Sequence, residues 1–332
     1  MRLRQQILRL FWSFLVGFFA EVGTSAGAHA QDYPTRPITI VVGFPPGGPT
    51  DTVARIVADQ MSKSLGQSVI VENVAGAAGT IGGARVARSK PDGYTLSVGQ
   101  WTSNVGAGIM YPLSYHVMDD FEPVALLTTT YLWIVGRKDL PADDLRGLIA
   151  WLKENPGKAS TGSIGVGSAA QVCTIEFQSK TETKNPIVQY RGGAPAVQDL
   201  LGGQIDFICI EASQTLPHVK AGQLKVFGVA AKKRWFAAPD VPTIAEIGGP
   251  NIDVPFWHGL WAPKGASKEI ITRLNAAVID AMADPIVQKR FADLGHEIPS
   301  RDQMTPEALA IYHKSELDKW WPIMRAAGIK AN

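Results

Sequence analysis

The chain has 332 residues, of which 45% are hydrophobic and 19% are charged. This composition is typical of a globular protein and excludes a disordered one. The formal net charge is +2, and no run of basic residues indicates a nucleic-acid-binding surface.

The N-terminus has the pattern of a secretory signal peptide. Three arginines within the first nine residues precede the mostly apolar run Leu10–Ala20, and Ala28-His29-Ala30 matches the A-x-A cleavage pattern. We therefore predict a signal peptide at residues 1–30 and export of the mature chain. A membrane anchor is the alternative, but the run has 11 residues where a membrane span needs about 20.

Short apolar runs alternate with helical patterns in the first part of the chain. Strand patterns cover residues 38–44, 68–73 and 95–99, and helix patterns cover 50–65 and a segment ending near Ser89. In the first helix, four apolar residues from Val53 to Met61 share one face, and Gly66 is the predicted end. This alternation predicts a parallel sheet with helices on both faces.

A second series of the same kind follows. Helix patterns cover residues 143–154, 169–179 and 195–201, and strand patterns cover 160–164, 187–190, 205–210 and 224–229. Two α/β series of similar size predict two lobes. After them come the apolar segment Val254–Ala262 and then only helices, at 267–283, 286–294 and 306–327. Ser267 and Thr305 are the predicted N-caps of the first and the last of these helices.

Breaks in hydrophobicity predict where the chain crosses between the lobes. Three threonines interrupt the apolar stretch Val124–Val135, which indicates a boundary near Leu132, and Val254–Ala262 is the predicted return. Lobe 1 is then discontinuous. The predicted bounds are 33–132 and 255–332 for lobe 1, and 133–254 for lobe 2.

Four loops follow the carboxyl ends of predicted strands, where open α/β sheets bind ligands. The candidate ligand-binding residues are Pro46, Gly47, Gly48 and Asp51 in the first loop, Trp101, Ser103 and Asn104 in the second, Ser163, Gly165, Gly167, Ser168 and Ala169 in the third, and Tyr190, Arg191 and Gly192 in the fourth. Glycines admit close approach of the backbone, and helix starts offer unpaired N–H groups. Two Gly-rich helix starts, one from each series, would make a two-sided anion clamp if they face each other.

Each of these loops has a structural alternative, which is an ordinary turn between a strand and a helix. Asp51 lies in a first helical turn, where an acid stabilises the helix without a ligand. Arg191 is alternatively a solvated charge at a strand end. Trp101, Phe256 and Trp257 are candidate aromatic walls of the ligand cleft, or else core and hinge packing, since aromatic side chains are usually buried.

An enzyme is a different class of function, and its sequence signals are weak here. Gly76–Gly82 does not have the G-x-G-x-x-G spacing of a dinucleotide loop. The serine in Gly165–Ala169 is one place late for G-x-S-x-G. No C-x-x-C, H-E-x-x-H or His/Cys cluster indicates a metal site. The sequence therefore favours a binding protein without a catalytic site, metal or cofactor.

The chain has two cysteines, Cys173 and Cys209. An isolated pair in an exported protein is a disulfide candidate, and both residues are expected at the same side of the second parallel sheet. The alternative is two buried thiols that act as small apolar side chains.

Several short segments occur in an order and at separations that are specific when taken together. They are Tyr33–Ile38, Phe44–Asp51, Leu65–Asn73, Lys90–Leu96, Asp120–Ala125, Asp199–Gln204, Pro239–Thr243 and Leu260–Gly265. In these segments the chain resembles the substrate-binding proteins of tripartite tricarboxylate transporters, the Bug-type periplasmic receptors. The resemblance covers residues 33–329.

The resemblance implies a two-lobed periplasmic-binding-protein (Venus flytrap) fold with hinge crossings. It implies a small carboxylate ligand held in the interlobe cleft and delivered to integral-membrane permease subunits. It places the family's binding loops on the four loops above. We expect a periplasmic monomer with no nucleic-acid partner. The alternative function is a carboxylate sensor that presents its ligand to a two-component signalling partner.

Two positions depart from the family pattern. Relatives often carry His where Gln171 stands, and many carry Asp where Ile210 stands. If that Asp holds a ligand amine in some relatives, this chain lacks it. Glu211, which is adjacent, and Phe256 complete the candidate ligand-binding residues. The identity of the carboxylate stays open.

Overall fold

A computed structural model of the protein describes residues 33–329, and the predicted signal peptide at residues 1–30 lies outside the described residues. Within the described range nine strands form one mixed sheet with the order β2-β1-β3-β9-β4-β7-β5-β6, and β8 also pairs with β4. The strands are β1 Ile38–Val42, β2 Val69–Asn73, β3 Thr95–Gln100, β4 Phe121–Arg137, β5 Thr161–Ser163, β6 Ile187–Gln189, β7 Phe207–Glu211, β8 Leu224–Val229 and β9 Pro255–Pro263.

Ten α-helices accompany these strands in the described part of the chain. They are α1 Pro49–Leu65, α2 Thr80–Ala87, α3 Ala107–Met110, α4 Leu145–Glu154, α5 Ala169–Thr181, α6 Gly193–Leu201, α7 Leu216–Lys220, α8 Lys268–Ala283, α9 Pro285–Asp293 and α10 Pro306–Ala326. Among residues 33–329, no helix has both the length and the apolar character that a membrane crossing requires.

The first strand group follows the predicted α/β pattern. β1 pairs in parallel with β2 on one side and with β3 on the other. Helix α1 begins with a proline in its first turn and ends at Gly66, whose φ of 67° is in the left-handed region. A residue without Cβ adopts that conformation at little cost, so Gly66 ends the helix as predicted. The apolar face from Val53 to Met61 is fully buried.

The long strand β4 joins the two strand groups. Its residues up to Tyr131 pair antiparallel with β9, and from Leu132 onward it pairs with β7 and β8. The three threonines that interrupt the apolar stretch lie within this strand. Thr128 and Thr130 are fully buried, and their hydroxyls have partners in His258 Nδ1 and the Gly295 carbonyl. Since threonine favours strands, β4 continues through them. The residue bounds of the two lobes stay a prediction.

The second strand group is built around β5, which pairs in parallel with β6 and β7. Ser168 caps helix α5, and its hydroxyl accepts a hydrogen bond from the Gln171 N–H at 3.2 Å. The antiparallel strands β4 and β9 and the short helix α7 were not predicted. The sheet is therefore mixed where a parallel sheet was expected.

The C-terminal helices return to the first strand group. α8 packs against α1 and β4, and α10 packs against β4 and the turn that follows β3. Ser267 and Thr305 cap α8 and α10 through their hydroxyls, as the sequence predicts. α10 therefore lies behind one of the four candidate ligand loops.

Cys173 on α5 and Cys209 on β7 form a disulfide, with their Cα atoms 6.2 Å apart. Both residues are buried within the second strand group. The Cα separation lies within the range that a disulfide spans. The bond closes a loop of 37 residues, because the sequence separation is 36.

Removal of this disulfide is expected to destabilise the protein. Loop-closure entropy for a loop of this length predicts that Cys173→Ala with Cys209→Ala lowers the free energy of unfolding by about 4 kcal/mol. Urea unfolding of the mature protein and the double variant, both without reductant, measures the difference. Superimposable unfolding curves, or two free thiols in the denatured unreduced wild type, would contradict the prediction.

Candidate functional site

The first loop presents an exposed backbone turn at the start of α1. Pro46 and Gly47 are exposed, and Gly48 caps α1 without a side-chain hydrogen bond. The Asp51 carboxylate bends back into this turn and accepts a hydrogen bond from the Gly47 N–H at 2.9 Å. Its side chain is only 4% exposed. Asp51 therefore stabilises the turn, in agreement with the structural alternative to a ligand-binding role. The backbone of Pro46 and Gly47 faces solvent.

Two further donors reach the Asp51 carboxylate. Arg55 Nε donates to Oδ2 at 2.9 Å, and Asn73 Nδ2 donates to Oδ1 at 2.8 Å. Burial raises the pKa of Asp51, but the hydrogen bonds from Arg55, Gly47 and Asn73 outweigh burial and hold that pKa below its usual value. Asp51 is thus ionised and already paired, which leaves it poorly suited to bind an anionic ligand.

The second loop, predicted as a polar exit from a strand, contains a π-helical turn at Thr102–Gly106. Ser103 and Asn104 are half-buried, and the Ser103 hydroxyl lies 2.7 Å from Asn104 Oδ1. The same two side chains line a small recess together with Ser97 and Tyr115. The turn therefore holds two polar side chains next to each other at the carboxyl end of β3.

Trp101 packs in the interior, which is the alternative to a wall of the ligand cleft. The ring is fully buried, and its Nε1–H donates to Glu316 Oε2 on α10 at 3.1 Å. It also packs edge to face against Trp320, with ring centroids 5.7 Å apart. Its large apolar area and its single donor are both used inside the protein, so Trp101 has the packing role.

Phe256 and Trp257 are also packing residues. Phe256 is 3% exposed and its ring packs on His258, while Trp257 is fully buried against Tyr312 and Trp261. Both residues lie on β9 beside β4, where the chain passes between the strand groups. Phe256 therefore has the packing arrangement, and its role as a ligand contact stays a prediction.

The third loop is held by its own side chains. The Ser163 hydroxyl donates to the Gly165 carbonyl at 3.2 Å, and the Gly167 N–H donates to Gln171 Oε1. Ser163, Ser168 and Ala169 are buried, and Gly165 is half-buried. The buried residues shape this turn, and Gly165 offers backbone on its surface.

The second and third loops touch each other through two glycines. A Cβ on Gly106 would overlap the Gly167 carbonyl oxygen, and a Cβ on Gly167 would overlap the Met110 side chain. Gly167 also has a φ of 65°. The two strand groups therefore meet, backbone against backbone, at a place where side chains do not fit.

The fourth loop lies beside the third and carries an unpaired cation. The Tyr190 N–H donates to the Ser163 carbonyl at 2.8 Å, and the Tyr190 hydroxyl donates to Asp199 Oδ2 at 2.7 Å. Burial, with the Asp199 carboxylate adding to it, raises the pKa of Tyr190 to about 12. Arg191 is exposed and has no hydrogen-bond or ion-pair partner among residues 33–329. Gly192 caps α6 without a side-chain hydrogen bond.

Glu211, a candidate ligand-binding residue, is fully buried at the end of β7. It accepts hydrogen bonds from Ser213 Oγ at 2.7 Å and Gln214 Nε2 at 3.3 Å. Burial raises the pKa of Glu211 to about 7, against the smaller opposing effect of those two hydrogen bonds. Its Oε1 lies 3.6 Å from His296 Nε2.

His296 and His258 extend this group of buried polar side chains from Glu211 toward the first loop. Their rings lie 5.6 Å apart, and His258 Nε2 is 3.4 Å from the Thr50 hydroxyl in the first turn of α1. Burial lowers the pKa of His296 to about 4 and also lowers that of His258. These side chains connect the carboxyl end of β7 with the start of α1. In the part of the chain that the structure describes, no group of three potential metal ligands occurs.

The family assignment rests on a sequence model described as TctC, tripartite tricarboxylate transporter family receptor, which matches residues 53–329. The chain belongs to this family. It is a family of solute-binding receptors and not of enzymes, as the sequence favoured. A curated relative from Agrobacterium vitis, a UPF0065 protein in the TAR-I ttuE-ttuC' intergenic region, is 40% identical over 91% of this chain and 87% of the relative.

Solved structures similar to this chain have a two-lobed periplasmic-binding-protein fold. The periplasmic binding protein BugD is 36% identical with a TM-score of 0.83, covering 90% of this chain and 100% of BugD. MatC from Rhodopseudomonas palustris with bound malate is 36% identical with a TM-score of 0.81, covering 87% and 98%. R. palustris Rpa4515 with adipate is 29% identical with a TM-score of 0.84, covering 90% and 100%. The predicted fold class is therefore confirmed.

Sequence reasoning missed several residues that shape this receptor's loops. Gly106 and Met110 contact the third loop, and His313 on α10 contacts the second loop. Gly106 could have been predicted as a loop residue, because a glycine that closely follows the polar pair Ser103-Asn104 indicates a close backbone approach. No local pattern marks His313, because its partner lies 209 residues away in the chain.

Proposed function

We propose that the protein is a periplasmic solute-binding protein that captures a small carboxylate between its two lobes. The ligand-contacting residues in this proposal are Pro46, Gly47 and Gly48 in the first loop, Ser103 and Asn104 in the second, Gly165 and Gly167 in the third, and Arg191 and Gly192 in the fourth. Delivery of the ligand to permease subunits of a tripartite tricarboxylate-type transporter completes the proposal. The mature chain acts as a monomer after loss of residues 1–30.

The unpaired Arg191 is the observation that carries this proposal. An exposed guanidinium at the start of α6 is free to bind a carboxylate with two parallel hydrogen bonds. The helix starts at Gly48 and Gly192 have no side-chain cap, so backbone N–H groups add donors there. All of these groups favour an anion.

The free energies of these interactions show why the Arg191 guanidinium is needed. A helix start contributes roughly 0.3–1 kcal/mol to a nearby anion, and micromolar affinity requires about 8 kcal/mol. Hydrogen bonds to charged groups contribute about 1.5–3 kcal/mol each. Several of these hydrogen bonds, in a site closed to water, are therefore needed in addition to the two helix starts.

The ligands in the structures of family members support a dicarboxylate. MatC holds malate and Rpa4515 holds adipate, and both molecules carry two carboxylate groups. A ligand with two anionic ends fits donors from two strand groups. The proposed lobe bounds, 33–132 with 255–332 and 133–254, place the first two loops in one lobe and the last two in the other.

Titration of the mature protein with lactate, malate, succinate, adipate and citrate tests the proposal. We expect at least one dicarboxylate to bind with micromolar affinity, measured by calorimetry or tryptophan fluorescence. Arg191→Gln should weaken that affinity roughly 10- to 150-fold, the equivalent of about 1.5–3 kcal/mol. The matched control is Arg290→Gln, because Arg290 is an exposed arginine on α9. The proposal fails if no carboxylate binds to the wild type, or if Arg191→Gln binds as tightly as Arg290→Gln and the wild type.

A further inference from the structure

The C-terminal helix α10 holds the second loop from behind through side-chain donors. His313 Nε2 donates to the Asn104 carbonyl oxygen at 2.7 Å, and Trp321 Nε1 donates to the Val105 carbonyl oxygen at 3.0 Å. Both acceptors belong to the π-helical turn, in which the Ala107 N–H bonds back to Thr102. Two consecutive carbonyls of a turn with unusual hydrogen bonding are thus fixed by a helix that follows more than 200 residues later.

A carboxylate on the same helix adds a third connection. Glu316 Oε2 accepts hydrogen bonds from Trp101 Nε1 at 3.1 Å and from Trp320 Nε1 at 3.2 Å. Glu316 is 5% exposed, and Trp101 immediately precedes the π-helical turn. His313, Glu316 and Trp320 lie on one face of α10, because they follow each other at intervals of three and four residues. All three side chains contact Trp101 or the π-helical turn.

The His313 ring cannot move away from Asn104 at low cost. It is 2% exposed and lies between Trp257 and Trp261, whose ring centroids are 5.7 and 5.8 Å away. Its Nε2 carries a proton, because the Asn104 carbonyl oxygen can only accept a hydrogen bond. Burial lowers the pKa of His313 to about 4, so the ring is neutral at neutral pH. A rigid, neutral donor therefore fixes the position of one carbonyl group.

That carbonyl belongs to a residue of the proposed ligand site. The Asn104 side chain contacts Ser103, and Gly106, two residues later, contacts Gly167 in the third loop. A shift of the Asn104 peptide would therefore displace both the polar side chains and the glycine contact between the strand groups. No other element supplies a side-chain donor to the Asn104 carbonyl among the described residues.

We propose that His313 is a positioning residue of the carboxylate site, which acts by fixing the Asn104 carbonyl and with it the turn that carries Ser103 and Asn104. This inference rests on the proposed function. It assigns to α10 a part in ligand recognition, although α10 itself lies behind the loop.

Two substitutions of His313 separate the donor from the packing. His313→Phe keeps a flat ring between the two tryptophans and removes the donor, whereas His313→Gln loses the ring and keeps an N–H donor at similar reach. We expect His313→Phe to weaken binding of the best carboxylate in the panel about 10-fold and His313→Gln to stay within about threefold of the wild type. Tyr312→Phe is the control, since Tyr312 packs on Trp257 from the neighbouring position of α10.

A ligand-free measurement reports on the same hydrogen bond. The carbonyl ¹³C shift of Asn104 and the amide shift of Val105 should change in His313→Phe and return toward wild-type values in His313→Gln. A purely structural role would lower the affinity of both variants in proportion to their loss of thermal stability, and that result would overturn the inference.

The measurements distinguish a failure of this inference from a failure of the proposed function. If the wild type binds a carboxylate and His313→Phe binds it equally well, the inference is wrong and the proposed function stands. If the wild type binds no carboxylate of the panel, the proposed function is wrong and the inference about the carboxylate site is wrong with it. Shift changes in His313→Phe would then show only that the histidine orders the turn.

Discussion

Gly167→Ala should weaken carboxylate binding by at least about 30-fold, equivalent to about 2 kcal/mol. Gly167 has a φ of 65°, and a Cβ there would overlap the Met110 side chain. The left-handed backbone alone costs a residue with a side chain about 1–2 kcal/mol. The overlap adds to this cost, and it pushes the third loop away from the second, so the donors of the two strand groups no longer face one ligand.

Gly157→Ala is a matched control for the backbone cost. Gly157 has a φ of 75°, and a Cβ there would have no neighbour within 4 Å. Binding of the best carboxylate should be unchanged in Gly157→Ala, with a loss of only about 1–2 kcal/mol in the free energy of unfolding. Equal affinities and equal unfolding energies for the two variants would show that the Gly106–Gly167 contact is unimportant.

The protein should lose stability as the pH falls below 6.5, because it buries neutral histidines. Burial lowers the pKa values of His296 and His313 to about 4 from an ordinary value of 6.5, and it also lowers that of His258. Between pH 6.5 and 4 the unfolded chain therefore binds more protons than the folded protein. The stability present above pH 6.5 is lost as the pH falls, by about 3 kcal/mol for each of His296 and His313.

Glu211 acts in the opposite direction. Burial raises its pKa from 4.5 to about 7, so between these values the folded protein keeps a proton that the unfolded chain has lost. Its contribution is fully present below pH 4.5 and is lost as the pH rises through 7, again about 3 kcal/mol. Between pH 4.5 and 6.5 the effect of Glu211 on the free energy of unfolding therefore cancels the effect of one buried histidine.

Urea unfolding of the mature protein at pH 5.0, 6.0 and 7.5 tests this proton balance. The free energy of unfolding of Glu211→Gln relative to the wild type should rise by about 2.4 kcal/mol between pH 5.0 and 7.5, since the amide does not ionise. Glu154→Gln, an exposed position at the end of α4, is the control and should show no such change. A constant difference between Glu211→Gln and the wild type across this range would mean that Glu211 does not titrate there.

Local sequence signals were sufficient for most helices and strands. The end of α1 at Gly66 and the caps at Ser267 and Thr305 depend on residues within one helical turn, and all three were predicted correctly. Alternating apolar runs likewise predicted β1 and β8. These features need only the neighbours in the chain, so the sequence alone can show them.

The candidate site was predicted as a set of loops but not as a set of contacts. The four loops lie at the carboxyl ends of strands as expected, and Gly47 and Arg191 are exposed. The directions of Asp51, Trp101 and Glu211 were not predictable. Each is decided by a partner elsewhere: Trp101, for example, bonds to Glu316, which lies 215 residues later.

The sequence by itself determined the α/β class, the two series of strands and helices, and the glycine-rich turns that follow the strands. Only the tertiary structure decided that β4 changes partners between Tyr131 and Leu132 and that Gly106 meets Gly167. It also decided that His296 lies beside Glu211. The physical reason is distance along the chain. Periodicity and capping act within a few residues, whereas strand pairing and burial depend on how remote segments pack against one another.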